Sequence, residues 1–285
     1  MSITTNHVQL WEIQQMAKKI RITIVGASGR MGRMLASAVE EDQDLEISGL
    51  IEVQGHLLIG KLANKEISGL KSNLEFSDDI EVALSASDAV IDFTNPETSV
   101  SIAKLAARYH VVDVIGTTGF SQKQLKQIEK SARETTIIRA GNMSLGLNIL
   151  TGLARKVSKE VDLDFDAEII EMHHGKKVDA PSGTALMLGE AVADGRGKSL
   201  DDLKEKPRDG IVGPRKKEKI GFSVIRGGDI IGNHSVMFAG MGEQIILQHN
   251  ATDRRIFARG AVKAVKWGIT ASEGEYSMLD VLNLH

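Results

Sequence analysis

The chain has 285 residues, 42% of them hydrophobic and 26% charged, with a formal net charge of -3 and no cysteine. That length allows a sizeable core and two domains, while the lack of cysteine excludes disulfides, a thiolate nucleophile and cysteine-ligated zinc. Charges of both signs are interspersed, which removes the electrostatic case for nucleic acid, and no apolar run approaches the ~20 residues of a membrane span.

The N-terminus lacks the cationic region and apolar core of a secretory signal, so a cytoplasmic protein is expected. Residues 1–18 carry Trp11 and Ile13 but no evident element and read as a flexible extension, with Met16-Ala17-Lys18-Lys19 as the natural beginning of the fold. Ile22-Thr23-Ile24-Val25 is a β-branched run that predicts a buried parallel strand. It enters Gly26-Ala27-Ser28-Gly29-Arg30-Met31-Gly32, and Met31 to Glu40 reads as a helix. Glycines at this spacing permit a tight turn, close approach of a pyrophosphate and packing of helix on strand. Glu52 follows a second strand-like run, Leu45 to Ile51, at the distance where such folds place a carboxylate on the adenosine ribose. A glycine pattern alone is more often a plain turn; the flanking strand, helix and acid favour a nucleotide site.

Alternating strand-like and helix-like segments from Ile20 to about Ala140 predict a parallel sheet with helices on both faces. Ala89 to Phe93 reads as a strand, Pro96 to Arg108 as a helix with apolar Val100, Ala103, Leu105 and Ala107, and Val111 to Ile115 and Thr136 to Ala140 as further strands. The last two end in Gly116-Thr117-Thr118-Gly119 and Gly141-Asn142-Met143-Ser144. Ligands of open α/β sheets lie outside the carboxyl ends of the strands, so these recurring tips fit a cofactor lying across the sheet.

After Ser144 the pattern changes. Leu145 to Val161 is an amphipathic helix, Phe165 to Met172 a strand, Ser182 to Ala193 a helix, and Gly195 to Lys219 a long polar loop. Gly221 to Arg226, His234 to Ala239 and Glu243 to Asn250 are strands without helical crossovers, as in an antiparallel or mixed sheet. Such an open sheet often supplies a subunit interface. Arg254 to Trp267 closes the fold as a helix.

Between strand and helix stands His173-His174-Gly175-Lys176-Lys177-Val178-Asp179-Ala180-Pro181-Ser182-Gly183-Thr184. Ser182 is a good N-cap, and Gly183 and Thr184 would then present free N–H groups at the positive end of a helix dipole. With Lys176 and Lys177 beside them, these groups suit a small molecule carrying carboxylates, and a histidine could move a proton near neutral pH. The plain alternative is a solvated basic loop ahead of an ordinary helix.

In this order and spacing the motifs resemble the dihydrodipicolinate reductase family, from about Lys19 to the C-terminus. The resemblance rests on Gly26 to Gly32, Ile91-Asp92-Phe93-Thr94, Gly116 to Phe120, Ala140 to Ser144 and above all Glu171 to Thr184. It implies an α/β fold: a Rossmann-like parallel-sheet nucleotide-binding domain of residues 19–144 with 254–285, and an α+β substrate and oligomerisation domain of residues 145–253 with an open mixed sheet. A homotetramer is implied as well. So is NAD(P)H-dependent reduction of 4-hydroxy-tetrahydrodipicolinate, a cyclic imine with two carboxylates, to tetrahydrodipicolinate with loss of water, in lysine and diaminopimelate biosynthesis. By the matching motifs, Gly26, Ala27, Ser28, Gly29, Arg30 and Met31 would hold the pyrophosphate and Glu52 the ribose. Gly116, Thr117, Thr118, Ala140, Gly141, Asn142 and Met143 would line the nicotinamide end. His173 would be the general acid, Lys177 a second proton donor and carboxylate partner, and His174, Ser182, Gly183, Thr184 and Arg254 the remaining grip on the substrate. No metal is implied.

Two departures bear on specificity. Members of the family usually carry a basic residue at the position of Gly175, and many that accept NADPH have arginine where this chain has Val53. NADH is therefore expected to be preferred over NADPH. Two other classes compete. An amino-acid or aldehyde dehydrogenase of similar plan would commonly need a cysteine or a lysine–aspartate pair. A nucleotide-sensing regulator would not need the His-His-Lys-Lys cluster and would bind NADH without turnover.

Overall fold

The computed structural model describes residues 18–161 and 163–284; the extension expected over residues 1–18 falls, except for Lys18, outside the described residues. In chain order the elements are β1 (Ile20–Val25), α1 (Arg30–Glu41), β2 (Leu45–Ile51), α2 (Ala63–Glu66), β3 (Phe76–Ser77), α3 (Ile80–Ser85), β4 (Ala89–Asp92), α4 (Pro96–Tyr109), β5 (Val112–Ile115), α5 (Gln122–Ser131) and β6 (Thr136–Arg139). They continue as α6 (Leu145–Glu160), β7 (Asp166–His173), α7 (Gly183–Gly195), α8 (Leu200–Leu203), β8 (Ile220–Arg226), β9 (Gly232–Gly240), β10 (Glu243–Ala251), α9 (Arg255–Gly268), β11 (Gly274–Tyr276) and α10 (Met278–Val281). The helix α8 interrupts the stretch expected to be one loop. None of the helices among the described residues is long and apolar enough to cross a membrane.

Two compact units result. In the first, one sheet runs in the order β11-β6-β5-β4-β1-β2-β3, and every neighbouring pair from β3 to β6 is parallel. The order reverses direction between β1 and β4, and that reversal opens a crevice at the carboxyl ends of the strands where ligands bind. Ile22, Ile24, Val90, Ile91 and Val114 are wholly buried, as expected of strands covered on both faces. Asn95 caps α4 by accepting from the Thr98 N–H, and Pro96 occupies its first turn, where a missing N–H has no cost. This helix buries Val100, Ile102, Ala103, Ala106 and Ala107, while Leu105 is only partly covered.

In the second unit a four-stranded sheet runs β10-β9-β7-β8. β7 and β8 are parallel, and β9 is antiparallel to both of its neighbours. Leu147, Leu150 and Ala154 of α6 and Leu188 and Val192 of α7 pack with Ala167, Ile169, Val236 and Phe238 of the sheet in one core. The opposite face is open in part in the single chain, with Ile246 55% and Ile225 45% exposed, while Arg208 and Arg215 cover Glu168 on it.

The units divide differently from the expected boundaries. The first takes residues up to Arg139 with Ala261–Glu275, and the second takes Ala140–Gly260 with residues from Tyr276 onward. Packing explains the shift. A Cβ on Gly260 would lie 1.6 Å from the Met143 carbonyl oxygen, so the start of α9 must pack against the segment leading into α6. Arg155 of α6 donates to the Leu284 carbonyl at 2.6 Å, which ties the C-terminal residues to the same helix. The other half of α9 packs with the first unit, where Lys266 pairs with Asp42 at 2.7 Å and Asp44 at 2.8 Å.

Candidate active site

The glycine loop of the first unit has the shape that a dinucleotide requires. Gly26 takes φ +68°, and a Cβ on Gly32 would meet the Gly26 carbonyl oxygen at 2.2 Å, so only glycine lets α1 pack this closely on the end of β1. Gly29 is the N-cap of α1 and has no side chain to bond the first turn, which leaves that turn's N–H groups to an anion. Glu52, directly after β2, accepts the Ser28 N–H at 2.6 Å. Arg30 is exposed, Ala27 is wholly buried and Met31 is half-buried.

At the neighbouring strand ends, Thr117 Oγ1 accepts the Thr94 N–H at 3.0 Å, and the Phe93 ring occupies the place a Cβ on Gly116 would take. Thr118 is exposed beside them. Asp92 Oδ1 accepts both the N–H and the hydroxyl of Thr94, at 2.9 and 2.5 Å. Burial raises the Asp92 carboxyl above its usual range, against the hydrogen bonds from Thr94 that oppose it. These residues fit a nicotinamide dinucleotide.

The second unit brings the histidine-rich segment together with partners from distant strands. The alternation of β7 that buries Ala167 and Ile169 also turns Glu171 and His173 to the covered face. Glu171 Oε2 lies 2.5 Å from His173 Nδ1. Arg226 of β8 engages both oxygens of the same carboxylate, and the Ser182 N–H donates to it at 3.0 Å. Burial pushes the Glu171 carboxyl up, but Arg226, His173 and Ser182 together hold it below its ordinary value. His234 of β9 meets the His173 ring edge-on with 5.0 Å between centroids. Burial, and then His173, push His234 down to about 4, so it is neutral at physiological pH.

Ser182 caps α7 by accepting from the Ala185 N–H, and a cis peptide joins Ala180 to Pro181. Lys177 Nζ stands 2.8 Å from Asp179 Oδ1. Asn142 Nδ2 donates to Thr184 Oγ1 at 3.3 Å, which joins one of the residues assigned to the nicotinamide end to one assigned to the substrate. Ala140 is half-buried and Gly141 exposed beside it, while Met143 is buried at 1% exposure. His174 donates its N–H to the Ile230 carbonyl, and its Nδ1 is buried without a partner among the described residues. Gly183 is exposed and Thr184 half-buried at the start of α7. Arg254 is exposed just before α9, and among the described residues no hydrogen bond or ion pair joins it to the cluster.

Sequence reading missed Glu171, Arg226, His234 and Gly232. The signal for Glu171 was its two-residue spacing from His173 on an alternating strand. Gly232 lies across from His173, and a Cβ there would come within 3.1 Å of His173 Nε2.

Comparison with known proteins identifies the family. The chain is 51% identical over 269 residues to the 4-hydroxy-tetrahydrodipicolinate reductase of Ruegeria sp. (strain TM1040), a match that covers 94% of this chain and 100% of that one. To the enzyme of the same name from Bartonella tribocorum it is 46% identical over 267 residues, covering 93% and 99%. The structure of a dipicolinate-bound dihydrodipicolinate reductase from Paenisporosarcina sp. TG-14 is similar with a TM-score of 0.74 at 26% identity, over 92% of this chain and 98% of that one. A myo-inositol dehydrogenase from Corynebacterium glutamicum ATCC 13032 shares the fold at 14% identity, with a TM-score of 0.55 over 90% of each chain. Family models for the N-terminus and the C-terminus of dihydrodipicolinate reductase match residues 20–143 and 146–282. The chain belongs to the dihydrodipicolinate reductase family.

Proposed function

We propose that the protein reduces 4-hydroxy-tetrahydrodipicolinate to tetrahydrodipicolinate with loss of water, using a reduced nicotinamide dinucleotide. The observation that carries this reading is a histidine held by a buried carboxylate, next to Lys177 and the N-terminus of α7. That combination offers a proton and a seat for carboxylates in one place.

The 4-hydroxyl first leaves as water with a proton from the neighbouring ring carbon, which gives the conjugated imine, and the reduced nicotinamide, when bound, supplies a hydride to its ring C4. His173 gives a proton from Nε2 to the neighbouring carbon as electron density moves toward the ring nitrogen. Lys177 and the N–H groups of Gly183 and Thr184 hold the two carboxylates, with His174 and Arg254 completing the grip; Ser182, expected to share it, is buried with its N–H on Glu171 and its hydroxyl on the Ala185 N–H, and positions the head of α7 instead. The first-turn N–H groups of α1 and the backbone of Gly26 to Met31 bind the pyrophosphate. Glu52 accepts from the ribose and favours NADH, because Val53, 71% exposed, brings no guanidinium for a 2′-phosphate. The partly open face of the β7–β10 sheet is where copies of the chain assemble, as a homotetramer.

The test is an absorbance assay at the reduced nicotinamide band with the fresh aldol product of pyruvate and aspartate semialdehyde. NADH should be consumed only when that compound is supplied. Folded protein that binds NADH and leaves the absorbance unchanged would overturn the proposal in favour of a nucleotide sensor.

A further inference from the structure

Glu171 is a carboxylate with every direction filled. It is 1% exposed. Arg226 Nη1 donates to Oε2 and Nη2 to Oε1, each at 2.8 Å; the Ser182 N–H donates to Oε1 at 3.0 Å, and His173 Nδ1 stands 2.5 Å from Oε2. A charge this deep is stable only when its hydrogen bonds are complete. These donors come from β8, from the start of α7 and from β7 itself, so they fix the oxygens in one place. His173 is thereby held at Nδ1. Its other nitrogen, Nε2, faces the side-chain-free position of Gly232, and the His234 ring meets its edge from β9.

We propose that Glu171 is the positioning residue for proton transfer: it accepts the Nδ1 hydrogen of His173, fixes the ring in its plane and leaves Nε2 as the atom that releases the proton. The inference rests on His173 being the proton donor. The step balances without further reagents. The imidazolium loses its Nε2 proton to the substrate carbon and becomes the neutral Nδ1–H tautomer, which Glu171 still holds, and solvent returns the proton afterwards. Glu171 touches neither substrate nor cofactor in this scheme and acts only through the ring.

The charges around His173 predict opposite effects for two substitutions. Burial pushes the imidazole down most, Glu171 pushes it up, and Lys177 and Arg226 push it down further, leaving it below its ordinary value. The facing groups are thus Glu171 on β7, Lys177 in the following loop, Arg226 on β8 and the neutral His234 on β9. Removing the carboxylate charge makes His173 release its proton at lower pH; removing Arg226 does the reverse. A general acid works while protonated, so the falling limb of kcat against pH follows the histidine in both cases.

The experiment uses the full chain with 13C-labelled histidine Cε1, titrated by NMR, with kcat and KM measured across pH for wild type, Glu171→Gln and Arg226→Gln. His173→Gln identifies the resonance. In Glu171→Gln both the His173 titration and the falling limb should move down by about one pH unit or more, an about tenfold loss of kcat above the limb with little change in KM. In Arg226→Gln both should move up. A His173 titration that stays put in both variants, or moves the same way in both, overturns the role of Glu171. If Glu171→Gln does not fold, Arg226→Gln decides by itself, since an unmoved or lowered titration is then the overturning result. Undiminished turnover in His173→Gln would instead overturn the proton-donor reading, which separates the two failures.

Discussion

The Ser28 N–H donates to Glu52 Oε1 at 2.6 Å, so the acid that closes β2 is tied to the glycine loop that follows β1. On the proposed function, a carboxylate there accepts from a ribose hydroxyl and repels a 2′-phosphate. With Val53 beside it the wild type should favour NADH over NADPH by about tenfold or more in kcat/KM, since like charges in contact cost several kcal/mol. Val53→Arg should raise the NADPH value selectively. Steady-state kinetics with both cofactors check this, and a wild type that prefers NADPH would show that Arg30 or Lys61 has taken the phosphate.

His173→Gln should lower kcat by about 10²-fold or more while NADH binding is unchanged, the typical loss on removing a general acid. Lys177→Ala should lower kcat and raise KM together, because it removes a cation from a substrate carboxylate. Arg254→Ala should act mainly on KM. Steady-state kinetics paired with NADH fluorescence titration distinguish these patterns. Wild-type values for both His173→Gln and Lys177→Ala would make the segment a solvated basic loop.

Gly175 does not adopt a left-handed backbone, and a Cβ there meets nothing within 4 Å. Gly175→Arg should therefore fold normally and lower the KM of a dianionic substrate, with a benefit that shrinks as salt is added. The comparison is KM at low and high ionic strength. A folded variant with an unchanged or higher KM at low salt counts against the electrostatic account.

Asp113 of β5 is fully buried and neither carboxyl oxygen has a hydrogen-bond partner among the described residues. Burial, and then the nearby Asp92, raise it well above the usual value of 3.8. For a group raised on folding, stability is complete below the unfolded value and declines as pH climbs toward the folded one. Asp113→Asn removes that decline. The variant should be more stable than wild type at pH 7, because an amide cannot ionise there, and the difference should shrink toward pH 4. Urea unfolding across that range is the measurement; a less stable variant at pH 7, or a difference independent of pH, contradicts it.

Much of the fold was legible because its signals are local. The β-branched run, the glycine loop and the acid after β2 all lie within one βαβ unit, and β2 falls on Leu45–Ile51 as expected. α5 was not legible by apolar period, since Leu125 and Ile128 stand among polar residues; its signal was the capping box of Ser121 and Gln124. The short α2, β3 and α3 carry too few residues for any period to register. In the site, His173 and Lys177 announce themselves through a run of charged residues. Arg226 and His234 do not, because only the register of β8 and β9 on β7 brings them to Glu171, and pairing register is a tertiary outcome.

Lys177 already has a carboxylate in contact, that of Asp179 at 2.8 Å. Lys177 holds the Asp179 carboxyl below the usual range, and the N–H of Gly183 adds to the effect at the head of α7. On the proposed function, in which Lys177 receives a substrate carboxylate, Asp179 is a surrogate anion already in that place, and admission becomes an exchange rather than an addition. A monocarboxylate that evicts Asp179 swaps one anion for another and gains little. A dicarboxylate keeps its second contact while the first is traded, so the internal competitor acts as a filter that favours ligands with two charges.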